Sequence, residues 1–371
     1  MKNQLMGSMV LVIVLAPGSA NAEQFFQETD VFVRTSDDPE NLQYRIPAIV
    51  VSNQGTLVAF CENRMLNNPV PHDIDIVVKR SFDNGVTWTE KQVATGDDGE
   101  EVIVIGNPCP AVDHSTGTIW LPYNRHDSAH IRNPFVTHST DDGATWAEPE
   151  EITAIVKPAE WGRWYAFGPG SGIQLEHGPH AGRLVIPSNH EQPAGKEIPH
   201  IVYSDDHGKT WVLGGSTPNI GANETQVVEL VNGDLLMIAR PTGRPGRQRV
   251  TTSSDGGRTW TPMKPHEDLV APGCQSSVCR FTTADTHGRN RILFSNPSST
   301  SDRVDLVIRL SDDEGQSWPV SRLLHKGSAA YSCLVVLPDR TIGCLYESGG
   351  YKKIVFARFN LEWLTEGRER L

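Results

Sequence analysis

The sequence predicts an all-β chain folded as a six-bladed β-propeller. Two observations carry that prediction. One eight-residue pattern, Ser-x-Asp-x-Gly-x-Thr/Ser-Trp, occurs five times, at residues 81–88, 139–146, 204–211, 253–260 and 311–318. Its central aspartates, Asp83, Asp141, Asp206, Asp255 and Asp313, are 58, 65, 49 and 58 residues apart, and a period of this size marks a solenoid, propeller or array. Each copy also reads as a turn between strands. The aspartate can accept backbone N–H bonds, the glycine two residues on can take positive φ, and the Trp can pack back onto the preceding strand. Alternating or apolar runs lie upstream, as at 74–79, 201–203 and 306–310, and have the period of strands. A blade of four strands fits each period.

Along the chain, residues 1–22 read as a secretory signal. Lys2 starts it, an apolar stretch centred on 10–15 follows, and Ala20-Asn21-Ala22 forms a small-residue cleavage site. Removing it leaves 371 − 22 = 349 residues, about six units of the observed period. The sixth unit lacks the pattern. Gly-rich and Asn-rich punctuation at 52–55 and 231–234 marks further turns, and His177-Gly-Pro-His180 reads as a turn before a strand at 183–186. Only 151–156 and 361–366 suggest short helices. The domain expectation is therefore a signal peptide at 1–22 and one propeller over 23–371, with no membrane-spanning segment after the signal and a secreted or periplasmic location.

Composition agrees. Gly (33) and Pro (25) are abundant, and hydrophobic and charged residues make up 38% and 21%. Those values exclude a collagen, a coiled coil, a disordered polymer and a multi-span membrane protein. A formal charge of −12 argues against a nucleic-acid partner or a polybasic membrane surface. The six cysteines, Cys61, Cys109, Cys274, Cys279, Cys333 and Cys344, have neither zinc spacing nor a compelling pairing. Cys274 and Cys279 would lie roughly 17 Å apart on an extended strand, and most of the others fall in apolar runs. Buried free thiols, no metal, no cofactor and a monomer are expected.

The chain also resembles the exo-α-sialidases of glycoside hydrolase family 33 over nearly all of residues 23–371. The resemblance rests on Tyr44-Arg45-Ile46-Pro47, the five repeats (Asp boxes in that family), Gly106-Asn107-Pro108, Gly168-Pro169-Gly170, Asn223-Glu224, Tyr331-Ser332 and Tyr346-Glu347. It implies a six-bladed propeller with a triad of arginines gripping the substrate carboxylate. Arg45 matches the first of these, Arg249 the second with Arg247 as an alternative, and Arg303 the third. Tyr331 matches the nucleophile, Glu224 its partner carboxylate, and Glu347 the group orienting the first arginine. Arg64 matches a substrate contact. Trp161, Trp164, Tyr165 and Phe167 are candidates for shaping the pocket or for the core. The sequon at Asn223 is discounted, because the same match buries it in the pocket.

The chemistry of this set is coherent. Guanidinium groups bind carboxylates through charge-assisted, partly bidentate bonds. A nucleophile facing a carboxylate is better neutral than anionic, and a neutral phenol then needs a base to take its proton. In one place the sequence departs from the family. The position of the usual acid/base aspartate, six residues after Arg64, is Val70. Asp73 is the replacement expected to protonate the leaving group, with His72 as second choice. The expected function is a retaining exo-α-sialidase acting on sialylated glycans. The alternatives are a glycosidase for a related 2-keto-3-deoxy sugar acid (Kdn or Kdo) and a non-catalytic sialoside-binding propeller.

Overall fold

A computed structural model describes residues 23–65, 73–96, 104–126, 131–192, 195–219, 221–242 and 246–371. The signal segment 1–22, Val70 and His72 lie outside the described residues. The strands form four sheets of four or five strands and one of seven. Blade 1 consists of Leu42–Val51, Leu57–Met65, Asp73–Ser81 and Gln92–Thr95. Blade 2 is built on Ile105–Gly106 and Ala111–Asp113, then Thr118–His126, Arg132–Ser139 and Glu150–Glu151. Blade 3 starts with Tyr165–Phe167 and Ile173–Gln174 and continues through Leu184–Gln192, Lys196–Ser204 and Val212–Ser216. Blade 4 is Ala222–Glu229, Leu235–Pro241, Gly246–Ser253 and Lys264–Ala271.

The seven-stranded sheet is two blades joined through one long strand, Val320–Val336. Its first half pairs with Val304–Ser311 and completes blade 5 with Ser277–Thr282 and Arg291–Pro297. Its second half pairs with Ile342–Ser348 and opens blade 6. Lys353–Phe359 follows, and the fourth strand of blade 6 is Phe26–Val33 from the other end of the chain, antiparallel with Phe26 opposite Phe359. This explains the missing sixth repeat. Every Asp box joins the third strand of a blade to its fourth, and in blade 6 no such connection exists. The helical expectations reduce to single turns, Thr153–Val156 and Leu361–Leu364.

The core lies between blades rather than within one. Six apolar clusters each combine residues of two adjacent blades, such as Val58, Phe60 and Ile76 of blade 1 with Ile119, Leu121 and Tyr123 of blade 2, and the sixth joins Leu345 and Phe356 of blade 6 to Ile49 and Leu57 of blade 1. First strands line a central channel, whose end farthest from Arg45 is a cavity of about 260 Å³ between Ile49, Val112, Ile173, Val228, Val278 and Leu334. All six cysteines are free, five of them buried and Cys279 partly so.

The Asp boxes hold this arrangement at its outer edge. In the first, Asp83 Oδ1 accepts from Ser81 Oγ (2.8 Å) and the Thr87 N–H (2.9 Å), and Oδ2 accepts from Thr87 Oγ1 (2.6 Å). The Thr87 hydroxyl and N–H hold the Asp83 carboxyl below its ordinary range. Three of the indoles leave their own strands, contrary to what the sequence suggested, while Trp318 meets Phe294 of its own blade at 5.5 Å. Trp88 meets Phe356 of blade 6, Trp146 meets Phe60 of blade 1, and Trp211 meets Trp120 of blade 2, each edge-on with centroids 5.5–5.6 Å apart. The apolar surface exposed to each of these three boxes is the neighbouring blade, so burial of the indole draws it there. The box glycines reach the same neighbours. A Cβ on Gly85, at φ +86°, would stand 2.2 Å from the Phe356 ring.

In the core between blades 2 and 3, His190 and His200 bring their Nδ1 atoms within 3.1 Å, His200 Nε2 meets the Tyr165 hydroxyl at 3.2 Å, and Trp161 stacks flat on His190. Burial lowers the His190 pKa to about 4 and pushes His200 well below the ordinary histidine range.

Two outcomes are expected. Gly85→Ala combines a left-handed backbone with a clash and costs about 2–5 kcal/mol, whereas Gly182→Ala, at φ +92° with nothing within 4 Å, costs only about 1–2 kcal/mol; denaturant melts of both variants check this. His190 is neutral in the fold and protonates near pH 6.5 when unfolded, so the unfolded state gains protons first. Stability falls as pH drops from about 6.5 toward 4, by about 2–3 kcal/mol from this residue. His190→Gln flattens that part of the stability–pH curve, and an unchanged slope would refute the assignment.

Candidate functional site

The site lies at the channel end where the first strands carry their polar residues. Tyr331 lies in the long strand shared by blades 5 and 6, is 4% exposed, and donates its phenol to Glu224 Oε1 at 2.5 Å. Glu224, on the first strand of blade 4, also accepts from Arg240 Nη1 through Oε2 at 2.8 Å. The same Nη1 is 3.0 Å from the Tyr331 oxygen. Burial first, then the nearby Glu224 charge, push the Tyr331 phenol well above its ordinary pKa, while Arg240 and Arg303 oppose them. The resting phenol is therefore protonated and already bonded to the group that can take its proton.

Arg45 is placed by an irregularity in the first strand of blade 1. Ile46 has φ +57°, unusual for a β-branched residue, and the strand's register shifts between Arg45 and Ala48. Pro47 has no N–H to lose there. Glu347, fully buried, holds the distortion. Its Oε1 accepts from Arg45 Nε (2.6 Å) and the Ile46 N–H (2.8 Å), and its Oε2 accepts from the Tyr331 N–H (3.1 Å). Burial disfavours the Arg45 charge, but Glu347 outweighs it and the guanidinium stays fully protonated. Arg45 and Arg303 sit over the Tyr331 ring at 5.4 and 5.2 Å, and Tyr351 lies under Arg45 at 4.0 Å.

The adjoining wall, where blade 1 meets blade 2, repeats this device. Glu62, 2% exposed, is hydrogen-bonded to Arg64 Nε and accepts the Asn107 N–H at 2.7 Å, and Asn107 has φ +58°. Arg132 Nη1 reaches Asn107 Oδ1 at 3.3 Å, and its guanidinium lies 3.5 Å above the Trp164 ring centroid. Trp164 is thus the aromatic facing this wall. Tyr165 and Phe167 are buried in the core, and Trp161 is committed to His190. Asn223 is 6% exposed and bonds Glu197.

Arg240, not Arg249, is the arginine beside Glu224 and Tyr331. Arg249 lies directly opposite Ala239 in the blade 4 ladder, and directly opposed residues share a face. Arg240, the next residue, projects to the other face, and that is the face carrying Glu224 and Tyr331. Arg247 is turned outward to Glu267. The missed signal was a hairpin count: folding the chain about Asn232 brings residue 240 over residue 224. Asp73 also differs from expectation. It is opposite Met65, whereas Arg64 is opposite Ile74 and Glu62 opposite Ile76, so Asp73 leaves its strand on the face away from Glu62 and Arg64. Among the described residues no group of three or more His, Cys, Asp or Glu is placed to hold a metal ion.

Comparison with known proteins matches residues 55–345 to the BNR repeat-like domain. A sialidase of Micromonospora viridifaciens is 37% identical over 367 residues, covering 94% of this chain and 56% of the relative. An exo-alpha-sialidase of Arthroderma benhamiae is 30% identical, covering 87% of this chain and 85% of the relative. The solved Hadza microbial sialidase Hz136 superposes with a TM-score of 0.80 at 33% identity, over 90% of this chain and 68% of that one. The chain thus spans little more than half the length of the first of these relatives.

The face assignment has a direct test. Arg240→Leu should weaken binding of a free carboxylate-bearing sugar acid by about ten- to a hundredfold, the worth of a charged hydrogen bond, while Arg249→Leu stays within about twofold. Titration calorimetry reads both. Equal losses would return Arg249 to the pocket.

Proposed function

The chain belongs to the sialidase family, and from that premise we propose that it is an exported, retaining exo-α-sialidase that removes terminal α-linked sialic acids from glycans. The observation that carries the reading is the contact of Tyr331 with Glu224 at 2.5 Å, with one Arg240 nitrogen bonded to both. Arg45, Arg240 and Arg303 surround that pair and supply the clamp for a substrate carboxylate. With the carboxylate so held, the carbon bearing it lies beside the phenol oxygen. Tyr331 Oη attacks that carbon as its proton passes to Glu224, and the bond to the leaving oxygen breaks. In the second displacement Glu224 returns that proton to the departing Tyr331 oxygen, while the group that protonated the first leaving oxygen takes a proton from the attacking water. Two displacements at one carbon retain its configuration. A tyrosine nucleophile sets such enzymes apart from the usual two-carboxylate glycosidases.

The proton for the departing oxygen is assigned to Asp73, which opens its strand and whose side chain must turn from the Met65 face to the Arg64 face to deliver it. Export is supported by the signal-like residues 1–22, and the substrate class by the relatives' activity. A binding-only propeller would have no use for a phenol bonded to a base.

Release of the aryl group from an aryl α-sialoside tests the catalytic reading. Tyr331→Phe should abolish it, and Glu224→Gln should slow it about a hundredfold to ten-thousandfold. Binding without release by the parent protein would favour a lectin. Asp73→Asn should largely stop cleavage of a sugar-linked sialoside yet spare the aryl one, which needs less protonation. Equal rates for variant and parent on both substrates would remove Asp73 from the mechanism.

A further inference from the structure

The clamp and the nucleophile occupy one side of the pocket: Arg45 comes from blade 1, Arg240 and Glu224 from blade 4, Arg303 from blade 5, and Tyr331 and Glu347 from blade 6. A pyranose held there by its carboxylate-bearing carbon extends toward what remains, blades 2 and 3. The groups waiting on that wall are Asn107, Arg132 and Trp164. The substituent that meets them is the one on the ring carbon across from the carboxylate.

Arg132 is an unusual group for such a wall. Its guanidinium covers the face of Trp164 at 3.5 Å, so that face is no longer free to receive a methyl group. Among the described residues its side chain has one hydrogen bond, the long 3.3 Å contact with Asn107 Oδ1, which leaves it donors to offer. It is fixed from behind, since its N–H donates to the Arg163 carbonyl (3.0 Å) and its own carbonyl accepts from Lys157 Nζ (2.9 Å). Burial holds its pKa down to about 10, and the charges of Glu62, Arg64 and Glu224 reach it, which places it inside the pocket's field.

A guanidinium has donors only. An acetamido carbonyl could accept from it, but the group also brings a methyl that finds no apolar face, because Arg132 covers Trp164, and an N–H whose nearest acceptor on that wall, Asn107 Oδ1, is already bonded to Arg132. A hydroxyl oxygen accepts and adds no methyl. We propose that Arg132 is the specificity-determining residue of the pocket, donating to the oxygen on the ring carbon opposite the carboxylate. The site then prefers a sialic acid with a free hydroxyl there over one with an acetamido group. The inference rests on the sugar-acid reading above and names the substrate class within it.

Two aryl α-glycosides and the two corresponding free acids, differing only in hydroxyl or acetamido at that carbon, test it. Wild-type kcat/KM and the Kd ratio of the free acids should favour the hydroxyl by roughly tenfold or more. Arg132→Leu should lower the hydroxyl substrate by about ten- to a hundredfold and leave the acetamido substrate unchanged or improved. Arg132→Lys should retain part of the preference. A wild-type preference for acetamido, or an equal loss on both substrates in Arg132→Leu, overturns the proposal. If the parent cleaves neither glycoside, the catalytic reading fails alone, and the Kd ratio still decides the role of Arg132.

Discussion

The pairing of Phe26–Val33 with Lys353–Phe359 is the contact on which the rest depends. It completes a blade that the end of the chain leaves one strand short and covers an edge that would otherwise stand open to other chains. It also presses the first blade against the last, with Phe32 and Phe356 buried among Tyr44, Ile49 and Leu57. Arg45 comes from one side of that seam, Tyr331 and Glu347 from the other. The bond between Arg45 and Glu347 spans 302 residues of sequence and is short only because the ring is shut.

Two buried glutamates carry the order of the ring into the pocket. A carboxylate taken out of water is expensive unless it is paired and fully bonded, and both are. Glu347 binds Arg45, the Ile46 N–H and the Tyr331 N–H. Glu62 binds Arg64 and the Asn107 N–H. In each case one of these N–H groups, that of Ile46 or of Asn107, belongs to a residue at positive φ, so the carboxylate offsets the backbone's distortion while aiming an arginine. Strain of this kind is tolerated where surrounding contacts over-determine it. The same logic fixes Arg240, whose two bonds to Glu224 and Tyr331 make one guanidinium the arbiter of how that pair meets.

Much of this was legible in the sequence. The aspartate spacing predicted six units, and Tyr-Arg-Ile-Pro, Asn-Glu and Tyr-Ser marked Arg45, Glu224 and Tyr331, because turns and motifs are local. What was not legible depends on which face of a strand a residue occupies. Arg249 and Arg240 are nine residues apart on adjacent strands, and only the register separates them. The spacing from Arg64 pointed to Val70, which left Asp73 as the replacement donor, and the ladder puts Asp73 on the face away from Arg64. The indoles were misread for a related reason: a repeat shows that a Trp recurs, but not whether its own blade or the next provides the surface it covers. Arg132 belongs to no repeat or motif, and only the fold brings it to Trp164 and Asn107.

The seam also sets an order of events. The strand that closes the ring is made before any blade, and its partner strand is made last. Contacts this distant in sequence form slowly, after the intervening chain has organised. The pocket, assembled from both ends, has no partial version: five finished blades hold Glu224, Arg240 and Arg303 but lack Glu347, which positions both Tyr331 and Arg45. The proposed site is therefore completed in a single late step, and a chain interrupted on the way to closure lacks it altogether.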